Sequence, residues 1–428
     1  MKFDYELEES PPLITNFVLG LQWAFIALTT IIILGKIVVS IYAPESFDEI
    51  LYLQKLFFLT GATLIFQIFL GHRLPLISGP AAVLLIGVVS SRGFQLSAIN
   101  TSIFIGGVFI ALLAATGLFN YVRRLFTARV ISVVLLLIVF TLAPTIRDLV
   151  VGRSTGINPL WNITFSIALV FAMFLLDRVL TGIWKTGLIV FSILCGSVVY
   201  FLIFPASFQS HVFTHQSWVR LFFRELTLDP VVVPGVLLSF LICYLALAVN
   251  DLGSIQSLNE MLDPDRKDRR IRRGIILTGI SNMASGLLGV LGPVNYSLSP
   301  GVIASTRCAS RYPLIFAGVF IVVMSLFPRL IDWLSCVPSV VVGGVMVYIM
   351  ASQVSAGLHI AFKDAPKEGF TYNSGVIIGL PVLLGNIISF LPEGILESAP
   401  VLIRPILGNG FVAGVFSVLL LEHIVFKK

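Results

Sequence analysis

Charge is what this sequence has least of. Of its 428 residues only 12% are Asp, Glu, Lys or Arg, while 57% are hydrophobic, and the mean hydropathy is +0.99. Globular domains carry about 25% charged residues, so a water-soluble single core is excluded: apolar surface on this scale has no interior large enough to hide it. Histidine (5) and cysteine (4) are also scarce. Cys195, Cys243, Cys308 and Cys336 lie far apart, in or beside apolar runs, which excludes a disulfide framework and a zinc knuckle. His211 and His215 have the spacing of a metal pair on a helix, but no third ligand accompanies them, and they read as a loop pair. No Ser/His pair, paired acidic cluster or His-Glu metal motif lies in an apolar run, so an intramembrane enzyme lacks its groups. No cofactor is expected. The net charge of +6 does not indicate nucleic acid, because the basic residues fall between apolar runs rather than along one face. Residues 1–12 lack the basic start and cleavage site of a signal peptide, and the first apolar run is too long for one.

What is present is a series of apolar runs. With about 20 residues needed to cross the hydrocarbon, fourteen segments emerge, at roughly 13–41, 54–71, 76–91, 100–119, 130–150, 160–180, 185–204, 232–260, 272–294, 296–310, 312–332, 336–360, 370–391 and 400–425. The third and tenth are short and open with Pro, Gly and Ser: Pro75 to Pro80, and Ser297 to Gly301. Neither is an ordinary crossing helix. Most of the 28 basic residues, including the run Arg266 to Arg273, fall on one side of an even span count. The positive-inside rule then places both termini in the cytoplasm of a cell inner membrane. Residues 205–231 form the longest external connection and divide the chain into sevens, 1–204 and 232–428. An odd number of spans per half makes the second half enter from the opposite side, the inverted repeat of many secondary transporters. The expected fold is therefore an all-α polytopic membrane protein with fourteen spans in a 7+7 inverted repeat. The lipid bilayer is its first partner.

Paired, interrupted spans mark a substrate site, because backbone freed from helical bonding is tolerated at mid-membrane only beside a cavity or packed protein. The most polar spot inside an apolar run is Asn250-Asp251-Leu252-Gly253. An ionisable group there costs on the order of 3 kcal/mol, so Asp251 is expected to face a cavity or a partner. Asn282, Asn295 and Gln67 are candidates for gluing helices, and Lys36 for snorkelling to an interface.

The segment Gly292-Pro-Val-Asn-Tyr-Ser-Leu-Ser-Pro-Gly301, followed by Thr306-Arg307, resembles the signature of the nucleobase–ascorbate transporters, with Gly301, Thr306 and Arg307 in register. Ala309-Ser-Arg311, Leu326-Phe-Pro328, Val337 to Gly344, Arg273-Gly274, Ala284 to Gly289 and Gly20-Leu-Gln-Trp23 are similar to the same family. The resemblance implies that spans 3 and 10 are each half strand and half helix. It implies a core domain (about 13–119 and 232–332) moving against a gate domain (about 130–204 and 336–425) like an elevator. It implies proton- or cation-coupled uptake of a purine or pyrimidine base, with H+ or Na+ as coupling ion, and a homodimer through the gate is expected. By the same carry-over the substrate is met by Asn250, Ser254, Ser297, Leu298, Ser299, Gly301, Ala82 and Thr30. Asp251 is the coupling candidate, and Gly79, Pro80, Pro300, Thr306 and Arg307 are framework. Several positions depart from the family. Asn250 stands for the usual glutamate, Leu298-Ser299 for its Gln/Glu-Asn pair, Ser254 for the histidine of the uracil branch, and Pro80-Ala81-Ala82 for Ser-Ser-Phe. Asn250 keeps hydrogen-bonding capacity but carries no proton. The competing expectations are a sulfate-permease-like anion transporter and a non-transporting membrane sensor.

Overall fold

A computed structural model describes residues 3–42, 48–119, 124–152, 157–181, 184–185, 187–205, 217–222, 229–363, 371–391 and 409–426. His211 and His215 lie outside the described residues, as does the first part of the last expected span. The first half runs α1 (Leu13–Tyr42), α2 (Glu49–Phe69), β1 (Ser78–Pro80), α3 (Ala82–Ser90), α4 (Leu96–Thr116), α5 (Ala128–Val151), α6 (Pro159–Val179) and α7 (Leu188–Ile203). The second runs α8 (Pro234–Leu262), α9 (Lys267–Leu288), β2 (Pro293–Asn295), α10 (Ser299–Thr306), α11 (Pro313–Ser325), α12 (Pro328–Ser335), α13 (Ser339–Lys363), α14 (Tyr372–Ser389) and α15 (Gly410–Leu420). The chain is a multi-pass membrane protein. Eight described helices are long and apolar enough to cross a bilayer, or nine if α11 and α12, bent by 97° at Leu326-Phe327, form one span.

Helices dominate because hydrocarbon offers no partner for free backbone groups. Their ends are closed locally: Asp48 accepts from the Leu51 N–H at 2.9 Å, Thr127 from Val130 at 3.3 Å and Asn409 from Val412 at 3.2 Å. Helix α9 stops at Gly289, whose left-handed φ of 71° turns the chain into β2.

Strands β1 and β2 pair antiparallel with Ser78 opposite Asn295, Gly79 opposite Val294 and Pro80 opposite Pro293. Two prolines at one rung remove its N–H donors. The ladder is completed beyond both ends, by Ala81 N–H to the Gly292 carbonyl and Tyr296 N–H to the Ile77 carbonyl, both 2.9 Å. Two chain breaks thus satisfy each other's backbone.

Around this ladder α1 packs on α2 and α11, α2 on α11, α4 on α8 and α9, and α8 on α9; α5 packs on α13, α14 and α15, and α6 and α7 on α13. The crossings α4–α9 and α2–α11 are made close by glycine pairs. A Cβ on Gly279 would lie 2.7 Å from the Gly107 carbonyl, and one on Gly318 2.9 Å from that of Gly61. The N-terminal residues strap the end of α10: the Asp4 N–H donates to the Arg307 carbonyl at 2.9 Å, and Glu8 pairs with Arg311 at 2.6 Å and Arg270 at 3.5 Å.

Candidate functional site: the paired chain breaks

One cluster of buried polar groups converges on β2. Asp251, on α8, is fully buried and accepts three hydrogen bonds: from Thr278 Oγ1 at 2.7 Å, Asn295 N at 3.2 Å and Asn295 Nδ2 at 2.6 Å. Asn295 accepts at Oδ1 from the Ser78 hydroxyl at 2.5 Å and at its carbonyl from the Ser254 hydroxyl at 2.9 Å. One asparagine therefore joins α8 to both strands. Asn282 extends the network, donating to the Pro293 carbonyl at 2.9 Å and accepting from the buried Tyr244 hydroxyl at 2.9 Å. Gln67 donates from α2 to Thr278 Oγ1 and the Gly274 carbonyl, both 3.1 Å. Buried polar groups held this way fix one geometry, because every broken link leaves an unsolvated partner.

The expected site residues divide into three sets. Asp251, Ser254 and Ser299 are interior. The Ser299 hydroxyl accepts from Ile77 N and donates to the Tyr296 carbonyl, both 3.1 Å, and so ties α10 to the approach to β1. Asn250, Ser297, Leu298 and Gly301 are exposed. A Cβ on Gly253 or Gly301 would meet nothing within 4 Å, so open space adjoins both. Thr30 is half-buried and donates to the Ala27 carbonyl at 2.8 Å, and Ala82 is half-buried at the start of α3. The framework residues hold ends. Gly79 leaves room for the Tyr296 ring, whose oxygen would lie 2.5 Å from a Cβ there, and Pro80 accepts from the Tyr296 hydroxyl at 2.7 Å. Pro300 sits in the first turn of α10, the Thr306 hydroxyl donates back to Val302 at 2.9 Å, and Arg307 ends the helix with φ 54°.

Four residues carry the site without having been singled out in the sequence. Thr278 and Tyr296 complete the Asp251 network and the packing on Gly79. Tyr52 accepts from Leu291 N at 3.3 Å. His72, fully buried beyond α2, accepts from Leu74 N at 2.9 Å, and Arg270 donates to its carbonyl at 3.2 Å. Lys36 donates to the Val337 carbonyl at 3.2 Å and faces Glu49, in the first turn of α2, at 3.9 Å. Gln67 and Asn282 are helix glue, as their residue types suggest. No group of three His, Cys, Asp or Glu suited to a metal occurs among the described residues.

A putative purine permease of Bacillus subtilis (strain 168), YwdJ, is 27% identical, with 93% of each chain covered. The uric acid permease PucJ of the same organism is 24% identical over 83% of this chain and 79% of its own length. Among solved structures, the transmembrane domain of a cyanobacterial bicarbonate transporter, BicA, superimposes with a TM-score of 0.65 at 12% identity, covering 89% of this chain and 97% of that domain. That likeness concerns the fold. Residues 15–394 match the model of the xanthine and uracil permeases, described as a permease family, and the chain belongs to that family.

Proposed function

We propose that this chain is a secondary transporter that takes a purine or pyrimidine nucleobase across the cell inner membrane, coupled to H+ or Na+. Its core domain, built on α1–α4 and α8–α12, moves against a gate built on α5–α7 and α13–α15. The relatives' names support the substrate class, since one is a putative purine permease and another a uric acid permease. The packing supports two inverted sevens, and the bias of basic residues to one side supports cytoplasmic termini. Counting β1/α3, β2/α10 and α11/α12 as one span each, spans 4 and 9 touch as do 11 and 2, 1 and 11 as do 8 and 4, and 12 and 6 as do 5 and 13. Each contact becomes another under a shift of seven spans, as a pseudo-two-fold requires.

The observation that carries the substrate reading is the contrast between Asn250 and Asp251. The carboxylate is turned inward and used up by the strand network, while the amide beside it is exposed next to the open face of Gly253. An amide offers a donor and an acceptor together, the pair that a lactam edge of a base presents in reverse. Ser297, Leu298 and Gly301 supply the opposite wall, with Leu298 and Ala82 as apolar surface for the ring. Ser254 and Ser299 act from behind, by holding the strands. Asp251 remains the coupling candidate, acting through Asn295.

The likeness to a bicarbonate transporter favours a second reading, an anion carrier seated on the start of α10. Against it, Ser299, Gly301 and Val302 spend their N–H groups on the Tyr296 and Leu298 carbonyls, and Pro300 has none. Uptake of radiolabelled xanthine, uracil, sulfate and bicarbonate into proteoliposomes, with and without a proton gradient, separates the two. Saturable uptake of a base, undiminished by sulfate or bicarbonate, is expected. Uptake of an anion with no base transported sinks the proposal.

A further inference from the structure

Away from the chain breaks, a crevice runs between α1 and α7 and ends under α12. Its wall is apolar, with Leu28 and Ile32 from α1 and Val190 and Ile193 from α7. Its mouth is formed by lining residues that are also exposed on the outer face: Phe25 (44%), Leu194 (51%), Val198 (59%) and Trp333 (72%). The crevice is thus continuous with the surface these helices turn to the hydrocarbon. At its end, α12 lies at 97° to α11, with Leu330 and Trp333 exposed and the Arg329 guanidinium 4.3 Å from the centre of the Trp218 ring. A short amphipathic helix with an exposed Trp and a basic residue lies at the membrane–water interface.

The polar atoms in the wall are few and mostly committed. The Thr29 hydroxyl donates to the Phe25 carbonyl at 2.9 Å, and Cys336 Sγ to the Asp332 carbonyl at 3.3 Å. Ser197 differs. Ser197 lines the crevice, and its hydroxyl oxygen is buried with no hydrogen-bond partner among the described residues. An unmet hydroxyl in an apolar wall asks for an acceptor brought by whatever occupies the space.

We infer that this crevice binds one membrane phospholipid. An acyl chain lies between α1 and α7, and the ester carbonyl at its head accepts a hydrogen bond from the Ser197 hydroxyl, with the headgroup beside α12. A nucleobase is a poor occupant, since its several polar edges would meet one hydroxyl. A second protein helix is too wide for the space between two adjacent helices. The acyl chain gains nothing from leaving water here, because it moves from lipid to protein. Selectivity therefore rests on close packing and one hydrogen bond, which sets the expected size of the effect. If α1 belongs to the core and α7 to the gate, as proposed above, the lipid lies across the sliding joint and stabilises one position of it. That consequence rests on the transport reading; lipid binding does not.

Native mass spectrometry of the full chain, purified in detergent, stripped of lipid and titrated with dioleoyl phosphatidylglycerol or its di-ether analogue, tests the assignment. The wild type is expected to bind a first diester lipid about fivefold tighter than the di-ether analogue, the size of one hydrogen bond. Ser197→Ala is expected to bind both equally, at the wild type's di-ether level. Ser197→Phe, which fills the crevice, is expected to lose the first-site binding at least tenfold, while Leu202→Phe, on the exposed face of α7, matches the wild type. Melting curves check that each variant is folded. Overturning results are an unchanged first site in Ser197→Phe, or a diester preference that survives in Ser197→Ala. Because none of these readouts involves transport, they stand or fall separately from the uptake experiment.

Discussion

The two chain breaks share a backbone plan and differ in chemistry. Each is a three-residue strand leading into a short helix, and the strands pair with each other. The first break reads Ser78-Gly79-Pro80-Ala81-Ala82, and all but its last residue are buried. Around the second, Asp251, Ser254, Thr278, Asn282 and Asn295 are knotted together, and the loop into α10 leaves Ser297 and Leu298 exposed. The paired breaks frame the place where the substrate is proposed to sit, and the second of them holds most of the polar chemistry that could read it. Because the strands lean on each other, that chemistry also supports the apolar copy, through Ser78 on Asn295 and Tyr296 on Pro80.

The largest effect should come from cutting the knot. Asp251→Leu strands the Asn295 N–H, its side-chain amide and the Thr278 hydroxyl in the interior. A loss of about 3 kcal/mol or more is expected, seen as a lower melting temperature in detergent and little folded protein. Asp251→Asn keeps one acceptor oxygen and should be milder. Gradient-driven uptake unchanged in that variant removes Asp251 as the coupling acid.

Next in size are the mirrored helix crossings. Gly279→Leu and Gly318→Leu each drive a side chain into the opposing glycine carbonyl. Both should cost about 1–3 kcal/mol, and by similar amounts if the crossings are equivalent. A large cost at one and none at the other, in paired melting curves, breaks the equivalence.

Asn250→Glu places at that position the acid that the resemblance implies; because Asn250 is proposed to face the open substrate space and not lipid, the melting curve should move by no more than about 0.5 kcal/mol, while base uptake becomes more strongly dependent on an imposed proton gradient. A flat response places coupling elsewhere. Smallest of all, Ala82→Ser gives the apolar break one hydroxyl. A change in KM of no more than about threefold is expected, since only the half-buried start of α3 is altered.

How much of this was legible in the sequence depends on distance along the chain. The breaks announced themselves through Pro, Gly and Ser inside short apolar runs, and Gln67 and Asn282 through being amides in apolar helices. Thr278, Tyr296 and His72 gave no such signal. Tyr296 and Pro80 lie 216 residues apart and meet only because the strands pair in one register, and Thr278 meets Asp251 only where α9 packs on α8. Asn250 and Asp251 were both visible, but not their division of labour. Adjacent helical positions point about 100° apart, and only the packing of α8 on β2 decides which one turns inward.

That division is the centre of the account, and equilibrium binding of radiolabelled xanthine and uracil to purified wild-type and Asn250→Ala protein tests it most directly. With Asn250 as the group that meets the substrate, the variant should fold and melt like the wild type and bind the preferred base at least tenfold more weakly. Wild-type affinity in a folded Asn250→Ala protein contradicts it.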